Sequence, residues 1–526
     1  MKKLSLLLIL ALMLSVFSAC AGNSEAGGST AAPAGSESAA PAGDNTPAPS
    51  VSSGRDDLII AINQDIKTFD LMYGSGMLMT QLGINVYDSL LQFENDGTPN
   101  PWLAEKWEVS DNGLEYTFYL REGVKFHNGE ELKASDVVFT VERGRESPKM
   151  SAICANIATI EALDDYTVKV VCNEISSTFL IEFCGEKFPI YNQKAVEEVE
   201  NYGDHPIGTG AYKFVSNEQG SKIEFEAFDE YWHGAPAIKK LVYRIMPDNF
   251  TAGVALESGD IDMIWATNAA TAATLEQNEK LVLLSEPSIN VLYVAMNTQA
   301  APFNDVKVRQ AVNYAMDREM IQDIVDEGRS DIKDYLPLDT MPGFVEPKTR
   351  YSYDLDKALS LMEAAGYSES NPIEVTMLTN TANQKLAEVV QECLSAIYIK
   401  ANLDVLETNT FTSQVYTSST ILSVSNFNMI YNDMDMINRF YNSARIDLHN
   451  APRYSNTRVD ELLELGRGEL DVEKRREYYG ELIEIVQEDA PYAALSNPHI
   501  IRAYNKDLNV AKSYTHGIFM FDVSWN

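Results

Sequence analysis

Histidine and cysteine, the residues that most often bind metals or act as nucleophiles, are few and scattered in this chain. The six histidines stand at positions 127, 205, 233, 449, 499 and 516. The sequence has no H-E-x-x-H motif, no EF-hand loop, no G-x-S-x-G elbow and no G-x-x-x-x-G-K-[ST] loop. His127, on a hairpin turn, is interpreted as a solvated loop residue. No metal site, cofactor or catalytic residue is therefore predicted.

The five cysteines fall into two groups. Cys154, Cys172, Cys184 and Cys393 lie far apart without a C-x-x-C pair, so they are interpreted as buried thiols, and no disulfide is assigned. Cys20 follows a basic start, an apolar run from Leu4 to Phe17 and two small residues, which together describe an export signal. That pattern resembles the bacterial lipoprotein signal, in which this cysteine carries lipid. An ordinary secretory signal is the alternative.

The segments around Cys20 predict how the protein is located. Residues 1–19 are expected to be the signal peptide, and residues 20–53, rich in Ala, Gly, Ser and Pro, a flexible linker. The remainder would be held by the lipid at the outer, extracellular or periplasmic, face of the cell membrane.

Acidic side chains dominate the charge. The chain has 77 Asp and Glu against 41 Lys and Arg, a formal charge of −36. Such a charge argues against a nucleic-acid partner. It also leaves open a secreted hydrolase that uses paired carboxylates. About 470 residues after the linker exceed what one core organises, so two or three domains are expected, in a monomer.

The elements that must position any site change character along the chain. Hairpins are predicted over residues 107–126, 159–172 and 208–228 from period-two alternation and turn residues. Ser135 is predicted to cap a helix that begins at Asp136, and Gly259 to end a helix that begins near residue 248. A further strand is predicted over 261–265.

The second half favours longer helices. Helices are predicted over 304–316 and 354–365, and the strand 373–378, the helix 383–400 and the strand 403–407 form a crossover. Such a crossover implies two parallel strands with the helix packed over them. Two unlike α/β regions on one chain predict two lobes.

Several segments, in order, resemble one family. "NVYDSLLQFENDGTPNPWLAEKWEVSDNGLEYTFYLREGVKFHNGEELKASDVVFTVER" (85–143), "GTGAYKF", "DEYWHGAPAIKKLVYR", "LESGDIDMI" and "APFNDVKVRQAVNYAMDREMI" (301–321) are similar to the bacterial extracellular solute-binding proteins of the peptide/nickel class. This family includes the dipeptide- and oligopeptide-binding proteins of ABC importers.

The resemblance implies an α/β, two-lobe hinged periplasmic-binding-protein-like fold with an additional α+β domain in the first lobe. Carried onto this chain, lobe I would comprise 54–97, 206–296 and 496–526, the additional domain 98–205, and lobe II 297–495. It implies a binding protein rather than an enzyme, which closes on a small peptide and delivers it to an ABC importer permease.

The resemblance also implies a binding site after a lobe II strand, "FNMIY" (427–431). Asp433 would pair with the α-ammonium of a peptide, and the alternative is that Asp433 or Asp435 only caps the next helix. Ile430 and Met436 stand where peptide binders have Trp and Pro.

Further candidate ligand contacts are aromatic or polar residues next to predicted strand ends. They are Trp265, Tyr431, Asn432, Tyr73 and Phe69.

Two alternatives to peptide import remain on this scaffold. The missing Trp at 430 motivates a non-peptide ligand, such as an oligosaccharide, a metal chelate or a cationic metabolite. A sensor that presents peptide to a signalling partner would need no sequence difference.

Overall fold

The computed structural model of the protein describes residues 55–74, 76–93, 98–429, 432–510 and 517–526. Its strands, in chain order, are β1 Asp57–Ile62, β2 Leu91–Phe93, β3 Pro99–Pro101, β4 Ala104–Val109, β5 Glu115–Leu120, β6 Ile157–Ala162, β7 Thr167–Cys172, β8 Tyr212–Glu218, β9 Lys222–Ala227, β10 Lys240–Ile245, β11 Met263–Thr267, β12 Leu281–Pro287, β13 Asn290–Met296, β14 Ser330–Ile332, β15 Ile373–Asn380, β16 Ile399–Leu406, β17 Leu422–Asn428, β18 Tyr492–Asn505, β19 Leu508–Asn509 and β20 Ser524–Trp525.

The α-helices are α1 Met77–Gly83, α2 Ala134–Arg145, α3 Ser151–Cys154, α4 Phe179–Glu182, α5 Gln193–Glu198, α6 Asn249–Ser258, α7 Ala269–Leu275, α8 Val306–Ala315, α9 Arg318–Val325, α10 Leu355–Ala364, α11 Gln384–Ser395, α12 Thr408–Val415, α13 Asn438–Tyr441, α14 Thr457–Gly468 and α15 Val472–Asp489. Among the residues that the structure covers, no helix is both long and apolar enough to cross a bilayer.

The first lobe is built on strands β8, β9, β10, β1 and β11. In it β1 pairs in parallel with β10 and β11, and the hairpin β8–β9 extends the edge. A separate sheet of order β4-β5-β7-β6 packs with α2. One apolar core runs through both sheets, so the smaller sheet shares buried side chains with the lobe rather than folding around its own core.

The second lobe is a mixed sheet covered on both faces. Its order is β16-β15-β17-β13-β18, with β15 parallel to β16 and α11 packed against the β15–β16 pair. Two buried clusters lie on the opposite faces of this sheet, because alternate side chains of each strand point to opposite sides.

Two connections join the lobes. Strand β18 pairs through its first half with β13 and through its second half with β11 and β12. The short link between β12 and β13 makes the other crossing. Because β13 pairs with β17 of the second sheet, this crossing lies just before residue 290. The domain boundaries given above stay predictions.

The predicted local elements are largely present, with shifts at their ends. Helix α6 ends at Gly259, whose φ of 80° is the left-handed conformation expected there. Helix α2 begins before Ser135, and the Asp136 carboxylate accepts the N–H of Lys133 at 3.0 Å, so Asp136 rather than Ser135 satisfies the helix start. The strand predicted over 261–265 is β11, two residues later.

The crossover is also shorter in its helix than predicted. Helix α11 ends at Ser395 and β16 begins at Ile399, because Tyr398 reverses the chain with a φ of 64°. The two strands pair in parallel, as predicted.

The interpretation of His127 is corrected, and the interpretation of the four cysteines is kept. His127 is not a solvated loop residue: its Nε2 lies 2.8 Å from the Gly210 carbonyl oxygen, and burial lowers its pKa to about 4. The cysteines at 154, 172, 184 and 393 are buried thiols that form no disulfide within the described residues, as interpreted.

Candidate functional site

A cavity of about 530 Å³ lies between the two lobes. One wall comes from α1 and from residues 149–187, which belong to the segment predicted as the additional domain. The other wall comes from the end of β17 and from residues 435–467 of the second lobe. The volume falls within the range of small-molecule sites, and its place between lobes is typical of a ligand pocket.

Ionisable side chains, both basic and acidic, line this cavity. They are Lys149, Lys187, Arg439, Arg445 and Arg467, together with Glu174, Glu182 and Asp435. Basic groups outnumber acidic ones on this surface, although the chain as a whole carries a charge of −36. The local field of the cleft therefore differs from that of the whole molecule.

An ion pair of the second lobe lies where the two lobes meet. Asp435 accepts from Arg467, with Nε–Oδ1 at 3.1 Å and Nη2–Oδ2 at 3.3 Å. Glu182 faces this pair from α4, and burial first, then the Asp435 charge, raises its pKa to about 8. Next to it, the Ser177 N–H donates to the Arg467 carbonyl oxygen at 2.9 Å. The lobes thus touch where carboxyl groups converge.

Asp433 lies behind this wall rather than on it. Its carboxylate is fully buried, pairs with the buried Arg475 of α15 and accepts the N–H of Asp435 at 2.8 Å, which caps the 3₁₀ helix Met434–Ile437. Burial raises the pKa of Asp433, while Arg475 lowers it. Oδ2 of Asp433 has no hydrogen-bond partner within the part of the chain that the structure describes. Its ligand role stays a prediction.

The other predicted contacts are placed as follows. Trp265 is buried and donates Nε1–H to Oε1 of Gln81 at 2.9 Å, and Gln81 itself lines the cavity. Asn432 is buried and bonds Thr340 through both ends of its amide, at 2.9 and 3.1 Å. Trp265 therefore contacts Gln81 of the cavity wall without lining the cavity itself.

Phe69 and Tyr73 lie in the first lobe at different depths. Phe69 is buried against Phe214 and Phe225, whereas the Tyr73 ring is exposed and lies 4.9 Å from the Arg143 guanidinium. Tyr431 and Cys20 lie outside the described residues. Of the predicted contacts that the structure describes, none is among the residues lining the cavity.

Several residues that line the cavity were not predicted as ligand contacts from the sequence. Glu182 stands alone within the apolar run "FLIEF", and an isolated acid in such a run is a signal for a buried carboxyl. Arg439 and Arg445 follow the 433–435 loop in an otherwise acidic chain. Both signals are visible in the sequence, although neither places the residues on one surface.

Comparison with known proteins identifies the class. Residues 98–447 match the bacterial extracellular solute-binding proteins, family 5 (middle region), and the chain belongs to this family. Heme-binding protein A of Haemophilus influenzae is 30% identical over 446 residues, 78% of this chain and 81% of that protein. The dipeptide-binding protein of Escherichia coli is 26% identical over 472 residues, 83% of this chain and 88% of that protein.

A solved structure agrees in fold. The ABC transporter-associated periplasmic binding protein DppA from Helicobacter pylori, in complex with the peptide STSA, superposes with a TM-score of 0.76 at 26% identity, covering 89% of this chain and 98% of that one. The predictions of a two-lobe binding-protein fold and of a binding protein rather than an enzyme are confirmed. The protein is a family 5 solute-binding protein of ABC importers.

Proposed function

We propose that this protein captures small peptides between its lobes and delivers them to the permease of an ABC importer. The observation that carries the proposal is the interlobe cavity with both acidic and basic side chains, because a peptide presents an ammonium group and a carboxylate to its binding site. Its relatives include a protein named for dipeptide binding and another solved with a bound peptide.

The acidic residues of the cleft suit the ammonium group. Glu182 and Asp435 face each other from opposite lobes, so a cation between them contacts both lobes at once. A ligand that bridges the lobes stabilises the closed state over the open one. Binding of the ammonium group by Asp433 stays a prediction. Substitution of Asp433 and of Asp435 compares the two residues.

Calorimetry tests the ligand class. We expect at least one member of a panel of free di-, tri- and tetrapeptides and glutathione to bind, and N-acetylation of that peptide to weaken binding because it removes the ammonium charge. The same titrations with heme, nickel–histidine, an oligosaccharide and an opine cover non-peptide ligands. Binding of only those compounds would overturn the peptide proposal.

A matched pair of variants locates the ammonium group. Asp435→Asn is expected to weaken peptide binding at least tenfold. Asp433→Asn is expected to do so only if the predicted role of Asp433 holds. N-acetylated peptide should bind wild type and the responsible variant alike, and a variant that weakens both forms equally would contradict a role in ammonium binding.

We further propose that lipid at Cys20 anchors the protein outside the membrane. The basic start, the apolar run and the small residues before Cys20 support this. Cells fed an alkyne fatty acid should label the wild type and the Cys393→Ala control, and leave Cys20→Ala unlabelled and released into the medium or periplasm. Equal labelling of Cys20→Ala would contradict the anchor.

A further inference from the structure

Two arginines on the second lobe line the cavity close to each other in sequence. Arg439 belongs to α13, and Arg445 follows in the next turn; both are half-buried. Within the described ranges, neither guanidinium makes an ion pair or a side-chain hydrogen bond. A half-buried guanidinium without an acceptor is costly, because its five N–H groups lose water without replacing it.

The carboxylates nearest in sequence have other partners. Asp435 accepts from Arg467, as described above. Asp447 pairs with Arg453, and Asp460 accepts the N–H and the hydroxyl of Ser443. Although the chain has 77 acidic residues, the carboxylates nearest in sequence to Arg439 and Arg445 pair with other groups.

Neighbouring polar groups at the same place supply no negative charge. Asn438 is 3% exposed and lines the cavity, and its Nδ2 has no hydrogen-bond partner among the residues that the structure describes. His449 lies close to both arginines: burial lowers its pKa, and the Arg439 and Arg445 charges lower it further, which disfavours the cationic imidazole. The surface offers the ligand donors and positive charge.

A carboxylate matches these donors. Its two oxygens accept the parallel N–H groups of a guanidinium, and its charge offsets the repulsion between two cations. We propose that Arg439, Arg445 and the Asn438 amide form a carboxylate-binding subsite that makes the cleft selective for anionic ligands. The subsite deepens the proposed function and rests on it for the statement that the carboxylate belongs to a peptide.

Two sources of the carboxylate are possible in a peptide. One is the terminal α-carboxylate, which every free peptide carries, and the other is the side chain of Glu or Asp. The first makes the subsite an anchor for chain ends, and the second makes the protein selective for acidic peptides.

The first experiment uses a carboxylate that is not a peptide. Glutarate is titrated against wild type, Arg439→Gln, Arg445→Gln and the control Arg458→Gln, whose arginine is exposed and pairs with Glu481 and Glu461 away from the cavity. We expect glutarate to raise the melting temperature of wild type and of the control, and the shift to be lost in both cavity variants.

Folding of the variants is checked without ligand. Arg439→Gln and Arg445→Gln should melt at or above the wild-type temperature, because each removes a cation that has no ion-pair partner among the described residues. If glutarate shifts all four proteins equally, or none of them, the subsite does not exist, whatever the protein's natural ligand is.

The second experiment uses Ala-Ala, Ala-Glu and their C-terminal amides in calorimetry. If the α-carboxylate is bound, both amides bind wild type at least tenfold more weakly than the free peptides, and the cavity variants no longer distinguish them. If the side chain is bound, Ala-Glu amide keeps its affinity and the variants lose it. Peptides that bind the cavity variants as tightly as wild type would overturn the subsite.

Failure of the proposed function gives a different pattern. In that case none of the peptides binds wild type while glutarate still stabilises it. The subsite then stands, with an anionic ligand that is not a peptide.

Discussion

Asp433 and Asp435 stand two residues apart, and both are buried, but only Asp435 lines the cavity. Asp433 is enclosed in the second lobe with Arg475, whereas Asp435 reaches the cavity and pairs with Arg467. The difference arises because α15 contributes Arg475 to the inner side of the loop and α14 contributes Arg467 to the outer side. At the scale of single residues, the partner determines the role.

Substitution of Asp433 separates stability from binding. Asp433→Ala should lower the free energy of unfolding by about 3–5 kcal/mol, because it leaves the buried Arg475 without its counter-charge. Urea denaturation measures the change. The double variant Asp433→Leu with Arg475→Met, which removes both charges, should cost less. An unchanged unfolding free energy together with lost peptide affinity would favour the ammonium role instead.

Glu182 predicts a dependence on pH. Its pKa in the folded protein is about 8, above the 4.5 of an exposed Glu, so between these values the folded state holds a proton that the unfolded state has lost. Stability from this group is complete below pH 4.5 and falls as pH rises to about 8.

The matching measurement compares wild type with Glu182→Gln. His127, with a pKa of about 4, contributes in the opposite sense below its ordinary value of 6.5, and the comparison cancels that contribution. From urea denaturation at pH 5 and pH 8.5, wild type should lose more unfolding free energy than the variant. Equal losses would show that Glu182 titrates normally.

At the scale of elements, helix ends depend on backbone conformation. Gly259 ends α6 with a φ of 80°, where a side chain is strained although the surrounding space is open. Gly468 ends α14 without a positive φ and also faces open space. The two glycines differ in conformation rather than in packing.

Alanine at these two positions should therefore have opposite effects. Gly259→Ala is expected to lower the unfolding free energy by about 1 kcal/mol, since only Gly adopts the left-handed conformation without strain. Gly468→Ala should be neutral or stabilising, because it reduces the freedom of the unfolded chain. Thermal and urea unfolding of both variants measures the change in unfolding free energy. If both variants are destabilised equally, side-chain packing rather than backbone conformation would explain the effect.

At the scale of the whole molecule, we expect ligand binding to change the separation of the two lobes. The lobes are joined by β18 and by the link between β12 and β13, and they also touch through the Ser177 N–H and the Arg467 carbonyl oxygen. Two crossings beside a cavity form a hinge, and a ligand that contacts both walls favours closure.

Small-angle scattering measures this closure. Saturating peptide should reduce the radius of gyration of wild type, and should reduce that of Arg439→Gln less at the same peptide concentration, because this variant is expected to bind peptide more weakly. Scattering profiles of wild type that superimpose with and without a peptide shown to bind would contradict closure.

The sequence by itself determined the local elements and the family. Alternating patterns predicted the hairpins and Gly259 predicted the end of α6, because each depends on neighbours within a few residues. The strand–helix–strand order over 373–407 predicted the parallel crossover. Ordered segments along the whole chain indicated the two-lobe binding fold.

Only the tertiary structure decided which side chains line the cleft. Glu182 and Asp435 lie hundreds of positions apart in the chain, and the lining is formed by residues 149–187 against residues 435–467. Asp433 and Asp435 are the same residue type two positions apart, and arginines from two distant helices pair with them so that only Asp435 lines the cavity. Charge, burial and partners are properties of the assembled surface, and a linear pattern does not contain them.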